Sequence, residues 1–174
     1  MMRVGIGYDI HRLNGRRGTV TLGGVAIPHA RQLVGHSDAD VLLHAVADAL
    51  LGAIGAPDLG ELFPPSDPKY RGYDSWRFVE VAYQKISTSG WRVGNLDATV
   101  VADAPKLSPH KASMRRTIGR LLRVPPSAIS IKGKTTEGLP PGAKGIAAHV
   151  VVLLEKSTRI SGRESRVQPR RLHR

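Results

Sequence analysis

Val4-Gly5-Ile6-Gly7-Tyr8-Asp9-Ile10-His11 sets apolar residues against Gly and polar ones in alternation. From Val4 to Ile10 this alternation reads as a strand. Residues two apart on a strand point to the same side, so Asp9 and His11 can converge on one point. Further on, Gly35-His36-Ser37-Asp38-Ala39-Asp40 leads into an apolar segment. Ser37 or Asp38 is placed to cap a helix running to about Ile54, with Val41, Leu42, Ala45, Val46, Ala49 and Leu50 on one stripe. His44 lies on that helix. One carboxylate and two imidazoles make a three-ligand set that leaves a fourth zinc position open, as catalytic zinc sites do. Asp40, His44 and Asp48 stand at i, i+4 and i+8 and line one side. A carboxylate there could take the second N–H of a metal-bound histidine, so Asp40 and Asp48 are candidates for that support. On spacing alone, a surface Asp-x-His beside an Asp-rich helix start stays open as the other reading.

The remainder of the chain alternates strands with helices. Thr19–Leu22 reads as a short strand closed by Gly23-Gly24, and residues 29–37 as a loop. Pro57 to Gly72 is dense in Pro, Gly and Asp and reads as a long loop, of a length typical of functional lids. Asp74 or Ser75 caps a second helix whose inner face is Phe78, Val79, Ala82 and Ile86. Leu96–Val101 is a strand, and Ser108-Pro109 opens a third helix through Leu122, with Pro in the favoured first turn. Ala128–Lys134 is another strand. Gly145–Glu155 is nearly all apolar and so central or well covered. Such an order belongs to the α/β or α+β class, with one sheet and helices packed on one face.

A chain of 174 residues holds one domain with a real core. No apolar run reaches the length of a membrane-spanning helix. The first residues lack the long apolar stretch of a signal peptide. Cys is absent, which excludes disulfides and thiolate zinc sites and fits a cytoplasmic enzyme. The net charge of +12 invites a nucleic-acid reading. Its distribution opposes one: residues 156–174 carry seven Lys/Arg against the single acid Glu164, a net +6 and half the total. The segment 158–174 reads as a basic, solvated, disordered tail after a domain spanning 1–157. The other half of the charge suits a protein that handles phosphorylated substrates.

Two further groups suit phosphate. His36 and Ser37 sit at the expected start of the first helix, where free N–H groups and the helix dipole favour anions. Lys132-Gly133-Lys134-Thr135-Thr136-Glu137 ends a strand with hydroxyls and a carboxylate, ligands that hard cations such as magnesium take. Each has an ordinary alternative, a solvated loop histidine and a Thr-rich strand end.

The segments Tyr8-Asp9-Ile10-His11 and His36-Ser37-Asp38-Ala39-Asp40-Val41-Leu42-Leu43-His44-Ala45 resemble the two signature segments of the 2-C-methyl-D-erythritol 2,4-cyclodiphosphate synthases. The resemblance covers roughly residues 3–156. It implies a ferredoxin-like α+β domain that assembles as a homotrimer with active sites between subunits. It also implies an enzyme of non-mevalonate isoprenoid biosynthesis, a phosphorus–oxygen lyase. Such an enzyme converts 4-diphosphocytidyl-2-C-methyl-D-erythritol 2-phosphate to the cyclic diphosphate and releases CMP. Asp9, His11 and His44 match the residues that bind one divalent cation, usually zinc. Glu137 matches the acid that binds a second, magnesium or manganese, with substrate. His36 and Thr135 match transition-state stabilisers. Ala102, Pro105, Lys106 and Leu107, together with Lys134, Thr135 and Thr136, correspond to the cytidine and phosphate pocket. Asp58 and Gly60 correspond to the segment holding the erythritol hydroxyls, and Ser37 to a substrate contact.

Three places depart from the family's pattern. Pro65 follows Phe63-Pro64 where an acid is common, and Lys134 stands where Thr or a small residue is usual. Pro140–Gly145 is two residues shorter than the family's turn and lacks its Phe and Arg, which line a trimer channel proposed to bind isoprenoid diphosphates. Two other classes compete with the synthase reading. A basic nucleic-acid-binding protein is opposed by the scarcity of aromatics and the absence of a recognised module. A metal-dependent phosphohydrolase using the same three ligands would release a linear monophosphate.

Overall fold

A computed structural model of the protein describes residues 1–15, 17–35, 37–64, 66–70, 72–138 and 144–157. His36, Pro65, residues 140–143 of the shortened turn and the basic tail 158–174 therefore lie outside the described residues. The fold is mixed α and β. A four-stranded sheet runs β1 (Met2–Arg12), β6 (Gly145–Lys156), β4 (Trp91–Val101), β5 (Ile129–Lys134). β6 is antiparallel to both neighbours, and β4 and β5 are parallel. Hence β1 and β4 are parallel with β6 inserted between them. A separate hairpin joins β2 (Gly18–Leu22) to β3 (Val25–His29).

Three main helices, α1 (Val41–Ala53), α3 (Ser75–Thr88) and α4 (Lys111–Leu122), form the second layer. β6 shows why the core lies on one face: Ile146, Ala148, Val150, Val152 and Leu154 are all fully buried, one every second residue. Gly5 and Gly7 explain how closely α1 approaches β1. A Cβ on Gly7 would stand 1.9 Å from the Ala45 carbonyl oxygen, and one on Gly5 1.9 Å from that of Ala49. Two glycines on one side of a strand meet small residues on one side of a helix, and the backbones touch. Asp9 and His11 continue the same side of β1, so the contact carries them to the start of α1.

The expected elements recur with shifted ends. The strand at 96–101 extends back to Trp91, with an irregularity between Val93 and Asn95. The third helix begins at Lys111 rather than Ser108-Pro109, because residues 108–110 form a turn. The loop of 57–72 contains a short helix, α2 (Leu59–Leu62), and a 3-10 turn at Pro68–Tyr70. α2 exists because Asp58 and Glu61 make a reciprocal capping box. β3 was hidden in the sequence by Pro28, which sits in a two-stranded ribbon that tolerates a missing N–H.

α1 starts at Val41, and its cap is Asp40, not Ser37 or Asp38. The buried Asp40 carboxylate accepts from the N–H groups of Leu42 and Leu43 and from those of Gly23 and Gly24 in the β2–β3 turn. This corrects two expectations. Asp40 does not support His44. Two N–H groups of α1's first turn, expected to be free for phosphate, are already spent on Asp40.

Candidate active site

β1 supplies Asp9 and His11, and α1 supplies His44 from its first turn. Asp9 Oδ2 lies 2.9 Å from His11 Nε2 and 2.9 Å from His44 Nδ1. The two ring nitrogens are 3.3 Å apart. A tetrahedral zinc with bonds of about 2.0–2.1 Å spaces its ligand atoms by about 3.3 Å. The three atoms therefore stand within a few tenths of an ångström of that spacing and form a group able to hold a metal ion. A carboxylate oxygen and imidazole nitrogens facing one another this closely repel unless a cation, proton or metal, lies between them. On this donor set the site fits a divalent cation with an open fourth position.

Electrostatics agree. Burial pushes the Asp9 carboxyl up, but hydrogen bonds and charge from His11 and His44 outweigh it and hold its pKa well below the ordinary carboxylate range. Burial pulls His11 down, but Asp9 and the Val34 carbonyl outweigh it, and the net shift is upward. The ring orientation of His11 is set by its Nδ1–H, which donates to the Val34 carbonyl at 2.8 Å. That leaves Nε2 directed at Asp9.

The supports of the two histidines are not the ones expected from helical spacing. Asp48 accepts from the Leu59 N–H at 2.8 Å, tying α1 to α2. His44 Nε2 faces the Ser75 hydroxyl at 2.8 Å and that of Ser37 at 3.1 Å. Ser75 Oγ in turn contacts the Asp38 carboxylate. Helical periodicity cannot find these partners, since Ser75 is the first residue of a different helix and Asp38 precedes α1.

At the same end of the sheet, β4 and β5 finish side by side. The Ala102 N–H donates to the Lys134 carbonyl at 2.8 Å. A cavity of about 300 Å³ opens there, and Ala102, Pro105, Lys106, Leu107, Lys134 and Thr135 all line it. Six residues singled out for a nucleotide thus meet in one pocket. Asp103, which the sequence reading passed over, accepts from the N–H and hydroxyl of Thr136 at 2.8–2.9 Å and fastens the turn before the pocket to the one after it. The Thr135 hydroxyl donates to the Glu137 carboxylate. Asp58 spends one carboxylate oxygen on its own helix cap, and Gly60 sits in that helix. Sheet register aligns Asp9 with Ala148, Val100 and Gly133 across the strands. Three strand spacings separate the metal group from the pocket, about 14 Å.

Comparison with known proteins agrees with this arrangement. The model of the YgbB family matches residues 2–155. A 2-C-methyl-D-erythritol 2,4-cyclodiphosphate synthase of Koribacter versatilis (strain Ellin345) is 51% identical over 157 residues, covering 90% of this chain and 99% of that protein. A solved 2C-methyl-D-erythritol-2,4-cyclodiphosphate synthase is similar with a TM-score of 0.82 at 39% identity, over 88% of this chain and 100% of that one. Plasmodium falciparum IspF in complex with CDP is similar with a TM-score of 0.79 at 35% identity, over 90% of this chain and 97% of that one.

Proposed function

This chain belongs to the YgbB family, and from that premise we propose that it is a 2-C-methyl-D-erythritol 2,4-cyclodiphosphate synthase, a phosphorus–oxygen lyase of isoprenoid biosynthesis. The observation that carries the reading is the pairing of a three-ligand metal group with a six-residue pocket at one end of one sheet. The substrate is 4-diphosphocytidyl-2-C-methyl-D-erythritol 2-phosphate. Its 2-phosphate oxygen attacks the β-phosphorus, the bond to CMP breaks, and a cyclic diphosphate closes. The attacking group is part of the substrate, so no protein nucleophile is needed, and catalysis rests on positioning and charge.

Each residue has a role in this reading. Asp9, His11 and His44 would hold zinc, and Glu137 magnesium or manganese with substrate. When bound, these cations polarise the β-phosphate and neutralise the leaving nucleotide. Backbone groups of Ala102, Pro105 and Leu107 hold the cytosine, while Lys106 and Lys134 meet its phosphates. The Thr135 and Thr136 hydroxyls lie at the transferring phosphoryl group, with Thr135 and His36 stabilising its charge. Asp58, through its second carboxylate oxygen, and Gly60 hold the erythritol hydroxyls, and Ser37 contacts the substrate beside them.

Assembly belongs to the same reading. The outer face of β1 presents Val4, Ile6, Tyr8 and Ile10, each about half exposed or more. A sheet face this apolar calls for cover. We assign that cover to two further copies of the chain in a homotrimer, with active sites where subunits meet. The domain, taken as residues 1–157, is α+β with helices on one face of the sheet, but its β-α-β-α-β-β order and parallel β4–β5 pair depart from the β-α-β-β-α-β order of a ferredoxin-like domain. A cytoplasmic location accompanies the assignment. No described helix is long and apolar enough to cross a membrane.

The test is phosphorus NMR of the purified protein with substrate, zinc and magnesium, beside Asp9→Ala and His44→Ala. Cyclic diphosphate and CMP from the parent alone are expected. A linear monophosphate, or no turnover with zinc bound, would overturn the assignment.

A further inference from the structure

Ser75 is a buried polar residue that no part of the reaction above uses. Its hydroxyl has one hydrogen and three partners: Asp38 Oδ1, His44 Nε2 at 2.8 Å and, more distant at 3.4 Å, the Ser37 hydroxyl, which can itself donate. An ionised carboxylate accepts and cannot donate. The hydroxyl hydrogen is therefore committed to Asp38, and the Ser75 oxygen must accept from His44. That requires a hydrogen on Nε2. A neutral imidazole with Nε2–H carries its lone pair on Nδ1, the atom that faces Asp9 and His11. Without metal, the proton among these three atoms is then the one on His11 Nε2, 2.9 Å from Asp9 Oδ2. Asp38 is held in turn: the same oxygen also accepts from the backbone N–H groups of Ser75 and Asp40, both at 3.3 Å.

We propose that Asp38 and Ser75 are positioning residues that set the tautomer of His44 and so present its Nδ1 as a metal ligand. Resting on the metal role assigned to His44 above, the inference adds the device that prepares the ligand. It reaches from the segment before α1 to the first residue of α3, so the loop ahead of α3 is tied to the metal group through one hydroxyl. His11 has an equivalent in the Val34 carbonyl, a fixed backbone acceptor. His44 uses a side-chain relay, which mutation can break without touching a ligand.

The test uses the full chain with histidine labelled by nitrogen-15. Long-range proton–nitrogen spectra of the metal-free parent, Ser75→Ala and Asp38→Ala are compared, and zinc affinity is measured for each by calorimetry. In the parent, His44 is expected as the Nε2–H tautomer. In both variants the ring is expected to populate Nδ1–H, with zinc affinity reduced roughly 10- to 100-fold, the usual effect of losing a partner of a metal-bound histidine. Asp38→Ala also removes an acceptor at the start of α3, whereas Ser75→Ala leaves it in place. A loss of affinity in Asp38→Ala alone, tracking its melting temperature, would mark Asp38 as structural and overturn the proposal. So would an unchanged tautomer with zinc affinity within twofold of the parent in both variants. Failure of the parent itself to bind zinc would instead overturn the metal assignment beneath it.

Discussion

Asp9 is the residue on which the metal group turns, because its Oδ2 stands 2.9 Å from a ring nitrogen of each histidine. Removing it, or removing His44, takes away one of the three proposed ligands. Zinc affinity in Asp9→Ala and in His44→Ala is expected to fall more than about 100-fold by calorimetry. His11 gives the pH dependence. Its pKa is raised above the ordinary 6.5 in the metal-free protein. The charged ring, paired with Asp9, therefore contributes stability that is fully present below 6.5 and is lost as pH rises through the raised value. Metal needs the neutral ring, so the proton competes with the cation. Over that same window zinc affinity should climb with pH while a proton is released, and the metal-free protein should lose stability. Melting curves with and without zinc across this range, beside His11→Ala, check both signs. In His11→Ala the fall in metal-free stability over this window should vanish.

At the scale of elements, two contacts bring the ligands together. Gly7 lets β1 touch α1, and a Cβ there would press on the Ala45 carbonyl. Gly7→Ala is expected to cost about 2 kcal/mol or more in urea unfolding, since backbone cannot yield as a flexible side chain does. It should also weaken zinc binding, because the strand that carries two ligands must move away from the helix that carries the third. Asp40 is the second contact. Its carboxylate serves four backbone N–H groups from α1 and the β2–β3 turn. Asp40→Ala leaves those donors buried and unmet, at a cost of about 3 kcal/mol. Thermal or urea unfolding reads it directly. A near-neutral result would mean that water replaces the carboxylate.

For the whole molecule the outer face of the sheet is the open surface. Ile6 is 71% exposed in the single chain, so Ile6→Glu should leave the fold intact and break assembly. Sedimentation is expected to show a trimer for the parent and a smaller species for the variant, with turnover lost if subunits share active sites. A monomeric parent with full turnover would reject the trimer. The buried face of β1 was not readable, since Val4, Ile6, Tyr8 and Ile10 lie exposed in the single chain while Gly5 and Gly7 face an α1 that is buried nearly all round. The strand from Val4 to Ile10 and the helix from Val41 to Leu50 were legible without coordinates, because their periods are local. So were Asp9, His11 and His44 as a candidate metal group, since a strand's period of two and a helix register are local properties. The pocket residues from Ala102 to Leu107 and at Lys134 and Thr135 came from a likeness in sequence, and the structure draws them together because β4 and β5 are parallel and end together. Partners were a different matter. Asp40 and Asp48 stand at the right helical spacing to support His44, yet Asp40 turns to Gly23 and Gly24, and Asp48 to Leu59. Ser75, 31 residues away in the chain and held by Asp38, takes that place at His44 Nε2. Periodicity determines which residues share a face. Which groups then meet across the interior depends on how strands and helices pack, and only the tertiary structure decides it.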